Sequence, residues 1–219
     1  MKTRLGHCLL VFFILSGCTS IERLALPDAK LADTAWAKAA ETPVAGISHE
    51  VWQEWLTRYV KTDQAGVNLV LYREVTERDE ARLNQYIAYL ESVRVSALSR
   101  DQQLAFWINL YNAKTVALVL ENWPITSIRE VKLGGVFAVG PWGAPLLEVE
   151  GRMLSLNDVE HGIVRPVFED NRIHYALNCA AYSCPNLQRT AYTAANLEMM
   201  LEMAAKAYVN DPRGVTIDG

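Results

Sequence analysis

The segment from Ser99 to Glu121 places the strongest constraint on the fold, because it predicts one long helix with a broad apolar face. Ser99 followed by Gln102 is a capping-box pattern, in which two side chains satisfy backbone N–H groups at the start of a helix. Pro124 lies just past the predicted end, where a helix cannot continue through proline. The face is formed at helical spacing by Leu104, Trp107, Ile108, Tyr111, Thr115, Leu118 and Val119. A face this broad belongs to a helix that packs into a hydrophobic core.

The rest of the chain predicts further helices and a few short strands. Helical spacing of apolar residues recurs around 48–59, with Ser48 as the expected N-cap, and around 77–93. Further along, the pattern predicts a β-hairpin over 146–154, a short helix from Ser155 to about Val164 stopped by Pro166, a buried strand over 173–177 and a helix over 193–210. Residues 67–72 fit either a strand or a turn. The predicted fold class is α+β, a mainly helical single domain with a small antiparallel sheet.

The N-terminus has the pattern of a secretion signal. Two basic residues precede an apolar run over 8–15, which is shorter than the roughly 20 residues that span a bilayer. Residues 15–18, Leu-Ser-Gly-Cys, resemble the lipobox of bacterial lipoproteins, which implies a signal peptide over 1–17 and acylation of Cys18. The alternative is an ordinary signal cut near Gly17, with Cys18 an incidental thiol.

A lipid on Cys18 would make the membrane one partner of the mature protein. Thr19, rather than aspartate, follows the cysteine, which favours the periplasmic face of the outer membrane. Residues 18–46 are rich in alanine and polar residues and predict a flexible tether, followed by a domain over 47–219. The net charge of −4 offers no basic patch for nucleic acid. We expect no cofactor, and an unidentified protein or peptide as the further partner.

Four cysteines are present, but only two remain in the domain. Cys8 leaves with the signal and Cys18 carries the lipid, so Cys179 and Cys184 are left in an oxidising compartment. They fit a structural disulfide, or a catalytic thiolate on Cys179 activated by a histidine. They also fit zinc ligands together with His161 and His174, or plain buried thiols.

Three blocks of sequence resemble a known family. They are 105–113 (AFWINLYNA), 156–166 (LNDVEHGIVRP) and 174–185 (HYALNCAAYSCP), and in this order they resemble the family called domain of unknown function 547, or DUF547. The resemblance covers about residues 60–210 and implies no particular activity. Members usually continue past the point where this chain stops, so we expect a truncated domain in which 215–217 is a strand cut off by the end of the chain.

The residue types of these blocks suggest a thiol-dependent hydrolase or acyltransferase that acts on a peptide or amide. In this hypothesis Cys179 is the nucleophile, His161 the general base and Glu160 the acid that orients it. Asn109 and Asn112, three residues apart on one helix face, would polarise the carbonyl or hold the imidazole. They equally fit two buried amides that brace the glycine-rich segment over 134–145. His161 equally fits a histidine that only binds a loop carbonyl.

The alternative function is a non-enzymatic binding protein of the cell envelope, with a structural disulfide between Cys179 and Cys184. It would bind a partner or ligand through the tryptophan-rich helix and the glycine- and proline-rich loop over 134–145. The candidate binding residues are Trp107, His174, Cys184 and Arg165. Arg165 would bind a ligand carboxylate, or would simply pair with Glu160 or Asp158. His174 also fits an ordinary core or surface histidine.

Overall fold

The computed structural model describes residues 36–44, 46–133 and 140–214. These residues form five α-helices and two antiparallel hairpins, which confirms a mainly helical α+β domain. The elements are α1 (Glu50–Tyr59), β1 (Val60–Thr62), β2 (Asn68–Val70), α2 (Glu77–Glu91), α3 (Arg100–Glu121), β3 (Leu147–Val149), β4 (Arg152–Leu154), α4 (Arg165–Phe168) and α5 (Leu197–Val209). Within the described ranges, no helix is long and apolar enough to cross a membrane. The predicted signal peptide, the lipidation site, part of the tether, Gly134 and Gly135 of the glycine-rich loop, and the segment 215–217 lie outside these ranges.

Helix α3 is the centre of the domain, as its apolar pattern predicts. The capping box is present: the Ser99 hydroxyl accepts a hydrogen bond from the Gln102 N–H, and the Gln102 side chain accepts one from the Ser99 N–H. Every residue from Gln103 to Ala113 is buried, so the helix is covered around its whole circumference and not only on the predicted face. Polar side chains on this stretch therefore have to find partners inside the protein.

In the N-terminal part of the domain, α2 packs against α3, and α1 packs against α2 and β1. Helix α1 begins after His49 and not after Ser48, although the Ser48 hydroxyl still accepts a bond from the Glu50 N–H. Helix α2 is capped by Thr76, whose side chain accepts from the Asp79 N–H. Strands β1 and β2 pair in antiparallel register with Val60 opposite Val70, so the segment 67–72 contributes a strand.

The predicted hairpin over 146–154 is confirmed as strands β3 and β4. Its two-residue turn consists of Glu150 and Gly151, and both have positive φ angles, 49° and 75°. Two consecutive residues of this kind form the turn whose twist matches that of antiparallel strands.

The segment after the hairpin differs from its prediction in two places. Ser155 and Asp158 cap each other's backbone N–H groups, but the helix that follows is a π-helix over Asp158–Val164. Pro166 does not stop it. It lies in the first turn of α4, where a proline is tolerated because no backbone N–H is needed there.

The predicted buried strand over 173–177 is wrong. Residues Asn171–Tyr175 form a 3₁₀-helix, which begins where the Asp170 side chain accepts a hydrogen bond from the Arg172 N–H. The last helix begins at Leu197 and not at 193, because Thr193 and Asn196 form a reciprocally bonded turn before it.

The predicted tether also needs a correction in its described part. Trp36 is 1% exposed and its ring contacts that of Trp107, with centroids 5.1 Å apart. The backbone N–H groups of Ala40 and Val44 donate to carbonyls of the segment before α3. Residues 36–44 are therefore part of the folded domain, which starts earlier than position 47.

Candidate functional site

The two cysteines of the domain form a disulfide, with their Cα atoms 6.1 Å apart. Cys184 is buried, and the bond closes the short loop that begins at Cys179. Because a bonded sulfur is not a thiolate, the structure corrects the expectation that Cys179 is a nucleophile. It contradicts the zinc interpretation for the same reason, and the described residues contain no cluster of histidine, cysteine and carboxylate ligands placed to hold a metal.

Asn109 and Asn112 hold the backbone of two C-terminal segments. The Asn109 amide donates to the Tyr192 carbonyl at 2.7 Å and accepts from the Tyr192 N–H at 3.1 Å. The Asn112 amide donates to the Ala176 carbonyl at 2.9 Å and accepts from the Asn178 N–H at 2.8 Å. Both ends of each amide are thus committed to the scaffold, which corrects the expectation that they polarise a substrate carbonyl. They brace the segments before and after the disulfide loop, and no described residue of the glycine-rich segment is among their partners.

Trp107 does not line a binding surface. Its side chain is fully buried beside Trp36 and Phe106, with ring centroids 5.1 and 4.9 Å away. The expectation that it contacts a ligand is therefore wrong. Its ring belongs to the core.

The structure brings together three of the predicted site residues, Glu160, Arg165 and His174, with Tyr111. Arg165 Nη2 lies 2.9 Å from Glu160 Oε1 and 3.0 Å from His174 Nδ1. The Tyr111 hydroxyl donates to the other Glu160 oxygen at 3.2 Å. We call these four residues the Glu160 cluster. The pairing of Arg165 with Glu160 is one of its two predicted roles.

The Glu160 cluster lies at the edge of an open depression of about 430 Å³, lined by Arg165, Glu169, Asp170, Asn171, His174 and Tyr175. The Glu160 side chain is 14% exposed and that of His174 is 53% exposed. Burial raises the pKa of Tyr111 well above its ordinary value, and the nearby Glu160 carboxylate adds to this effect. Tyr111 is therefore a neutral donor to Glu160 at every physiological pH.

His161 follows Glu160 on the π-helix and is only partly exposed. Its Nδ1 is buried, and no described residue is its hydrogen-bond partner. Burial lowers the pKa of His161, and Arg165 and His174 act in the same direction, against the opposing effect of Glu160. The side chain is therefore neutral near pH 7, which suits a base, but the sulfur it would activate is bonded to Cys184.

The disulfide loop forms one wall of an open groove of about 400 Å³. We call it the stapled groove. Its opposite wall is strand β2 with the residues on either side of it, from Val67 to Tyr72. The remaining lining residues come from the disulfide loop and from the end of the described chain and are Asn178, Ala180, Ala181, Tyr182, Cys184, Pro185, Asn186, Leu187 and Arg213. Of the predicted binding residues, only Cys184 lines this groove.

Sequence reasoning missed Tyr111 as a partner of Glu160, and it missed the β2 wall of the groove. Tyr111 was visible only as one apolar-face residue of α3, with no signal for its hydroxyl. The Asn68–Asn186 contact joins residues 118 positions apart, at 3.1 Å between backbone nitrogen and side-chain oxygen. None of the three sequence blocks contains Asn68 or Asn186, so no local pattern could have indicated this contact.

The fold thus defines a domain with a central, largely buried helix and a disulfide-closed loop beside a surface groove. Residues 95–209 match the family described as "Protein of unknown function, DUF547". Because this match spans more than half of the chain, the protein belongs to the DUF547 family. No curated protein and no solved structure matches the chain.

Proposed function

We propose that this protein is a non-enzymatic binding protein of the cell envelope, which holds a protein or peptide partner in the stapled groove. The observation that carries the proposal is that the Cys179–Cys184 disulfide closes the loop that forms one wall of the groove. A short cross-linked loop loses little conformational freedom when a partner binds, so the wall is preorganised for binding.

The contacts around the loop support the same conclusion. Asn112 fixes the backbone at Asn178, and the Asn178 side chain donates to the Pro185 carbonyl at 2.7 Å while accepting from the Ala180 N–H at 3.0 Å. Ala180 has a positive φ of 57°, a conformation that this network holds in place. These residues hold a wall in shape, and none of them activates a sulfur.

Attachment to the membrane through a lipid on Cys18 is part of the proposal. The lipobox-like residues 15–18 support lipidation at Cys18, and through it attachment to the periplasmic face of the outer membrane. In cells, the wild-type chain is expected in the membrane fraction, and Cys18→Ala in the soluble fraction. Fractionation that leaves both chains soluble, or both membrane-bound, contradicts this part of the proposal.

The central test is thiol reactivity of the full chain purified in detergent without reductant. We expect neither Cys179 nor Cys184 to react with a maleimide until the protein is reduced. A thiol that reacts before reduction, and loses this reactivity in His161→Ala, would overturn the proposal in favour of a cysteine enzyme.

A second experiment tests the groove in living cells. A photoreactive benzoylphenylalanine in place of Tyr182, which is 67% exposed on the groove wall, should form an adduct that is lost when Leu69→Glu is added. The same photoreactive residue in place of Met199, which is 59% exposed on α5, is the matched control and should form no such adduct. Equal cross-linking from both positions would contradict binding in the groove.

A further inference from the structure

Strand β2 has one edge paired with β1 and one edge turned toward the stapled groove. The Leu71 N–H donates to the Tyr59 carbonyl at 2.9 Å, and the Asp63 N–H donates to the Val67 carbonyl at 2.9 Å. In an antiparallel pair, the residues that bond across the ladder alternate with residues whose N–H and C=O point away. Positions 67, 69 and 71 therefore bond toward β1 and the residues that flank it, while the main-chain groups of Asn68 and Val70 point outward.

At Asn68, the first of these two outward positions, the bonding partners come from another segment of the same chain. The Asn68 N–H donates to the Asn186 side-chain oxygen at 3.1 Å, and the Asn68 side chain donates to the Leu187 carbonyl at 2.9 Å. The segment after the disulfide thus follows the outer edge of β2 for one residue. At Val70, the next outward position, the N–H and C=O have no hydrogen-bond partner in the described part of the chain.

The polar side chains Asn186 and Arg213 of the groove are already hydrogen-bonded or ion-paired within the protein. Asn186 accepts from Arg213 Nη2 at 3.0 Å and donates to the Gly66 carbonyl at 2.8 Å. Arg213 is also paired with Asp211 at 2.7 Å, and this carboxylate raises the pKa of the guanidinium. The pair leaves the groove without a net charge to offer a ligand.

The exposed parts of the walls are mainly apolar. Leu69 on β2 is 43% exposed and Tyr182 on the disulfide loop is 67% exposed. The Arg213 guanidinium lies 5.4 Å from the centre of the Tyr182 ring, and Arg213 donates to the Tyr182 carbonyl at 3.1 Å. This keeps the tyrosine beside the groove, where it can cover an apolar side chain.

We infer that the stapled groove binds an uncharged, extended peptide segment, which adds to the outer edge of β2 by pairing the main chain of one residue with the N–H and C=O of Val70. The inference rests on the proposed function and names its ligand. Strand addition takes its affinity from main-chain hydrogen bonds and its selectivity from pockets for alternate side chains. Here the free main-chain groups belong to Val70, and the surfaces for side chains belong to Leu69 and Tyr182.

The test uses the full chain in detergent and a blocked, fluorescent pentapeptide of valine and threonine. Fluorescence anisotropy gives its Kd, and amide NMR shifts report whether it contacts Leu69 and Tyr182. Substitution of each peptide residue in turn by its N-methyl form should weaken binding roughly tenfold at one position, because one main-chain hydrogen bond is lost. Raising the salt concentration should leave the Kd unchanged, because no charge is involved.

Val70→Pro tests the same bond from the protein side. Proline removes only the outward N–H, which makes no bond to β1, and edge positions of this kind accept proline. Val70→Ala is the matched control, since it loses the same packing but keeps the N–H. We expect Val70→Pro to weaken binding roughly tenfold relative to Val70→Ala.

Two results would overturn the inference in different ways. If the peptide shifts the Leu69 and Tyr182 amides but neither N-methylation nor Val70→Pro weakens it, the groove binds ligands without strand addition, and the proposed function stands. If the peptide shifts no groove amide, the named ligand is wrong, and the in-cell cross-linking from position 182 then decides whether the groove binds another partner. Because N-methylation changes only the peptide, the test holds even if Val70→Pro fails to fold.

Discussion

The side-chain oxygen of Asn112 accepts a hydrogen bond from the backbone N–H of Asn178 at 2.8 Å, which ties the central helix to the segment that leads into the disulfide. The nitrogen of the same amide donates to the Ala176 carbonyl at 2.9 Å. Asn112 is 3% exposed, so water cannot replace either bond. The position of the groove wall therefore depends on a side chain of the helix that forms the core.

Replacement of this amide should be costly. Asn112→Leu leaves a buried N–H and a buried carbonyl without partners, and we expect a loss of about 2–4 kcal/mol in the free energy of unfolding. Urea unfolding of the full chain in detergent measures it. Asn210→Ala is the control, because that amide is exposed and donates only within its own helix, and its effect should stay within about 0.5 kcal/mol. Equal losses in both variants would contradict the bracing role.

Trp36 supplies a second prediction, on where the domain begins. Its indole N–H donates to the Glu150 carboxylate in the β3–β4 turn, and its ring packs on Trp107. We expect Trp36→Ala to lower the free energy of unfolding by about 3–5 kcal/mol, as for other fully buried tryptophans.

The control for Trp36→Ala is the same substitution at a partly exposed tryptophan. Trp123 is 40% exposed and stacks on Tyr72, so Trp123→Ala should cost clearly less than Trp36→Ala in the same urea titration. If Trp36→Ala has no effect on stability, residues 36–44 behave as the predicted tether and not as part of the domain.

The elements that sequence reasoning predicted well are those that local interactions determine. The capping box of Ser99 and Gln102 joins residues three apart, and the Glu150–Gly151 turn joins adjacent strands, so both can be recognised from a short window. The Cys179–Cys184 bond was one of several open interpretations, and the structure supports it because the two residues close a short loop.

The elements that were predicted incorrectly depend on contacts that a short window does not contain. An apolar run such as 173–177 fits a strand or a buried helix equally well, and here the Asp170 cap starts a 3₁₀-helix. Trp36 is apolar in a polar segment, and only its distant partners Trp107 and Glu150 bring it into the core. The two walls of the groove are formed by β2 and by a loop that lies more than a hundred residues later in the chain. The sequence alone therefore could not show that these two segments lie side by side.

A third prediction concerns acid stability. His49 is 6% exposed, its Nδ1 lies 2.7 Å from the Tyr86 hydroxyl oxygen, and burial lowers its pKa from 6.5 to about 4. Between these two pH values the unfolded chain binds a proton that the folded chain does not, so the stability contributed by this residue falls as the pH falls from 6.5 to 4. The full loss is about 3 kcal/mol, and the burial that lowers the pKa of His161 adds to it.

Two variants separate burial from hydrogen bonding at this position. His49→Asn cannot titrate, and its unfolding free energy should change less between pH 7 and pH 4 than that of the wild type. Tyr86→Phe removes the hydroxyl but keeps the imidazole buried, so it should retain the pH dependence at a lower overall stability. A wild-type slope in His49→Asn would show that other groups account for the acid sensitivity.

The disulfide supplies the last prediction, because it should affect both stability and binding. In the chain-entropy account, closing a loop as short as 179–184 contributes about 2 kcal/mol to the free energy of unfolding. The double variant Cys179→Ser, Cys184→Ser should lose about this much, and the valine–threonine peptide should bind it more weakly, because the loop wall has to be ordered by the ligand. Reduction of the wild type should reproduce both effects, and reduction of the double variant should produce neither. A double variant that is less stable yet binds the peptide with wild-type affinity would show that the disulfide stabilises the fold without shaping the groove.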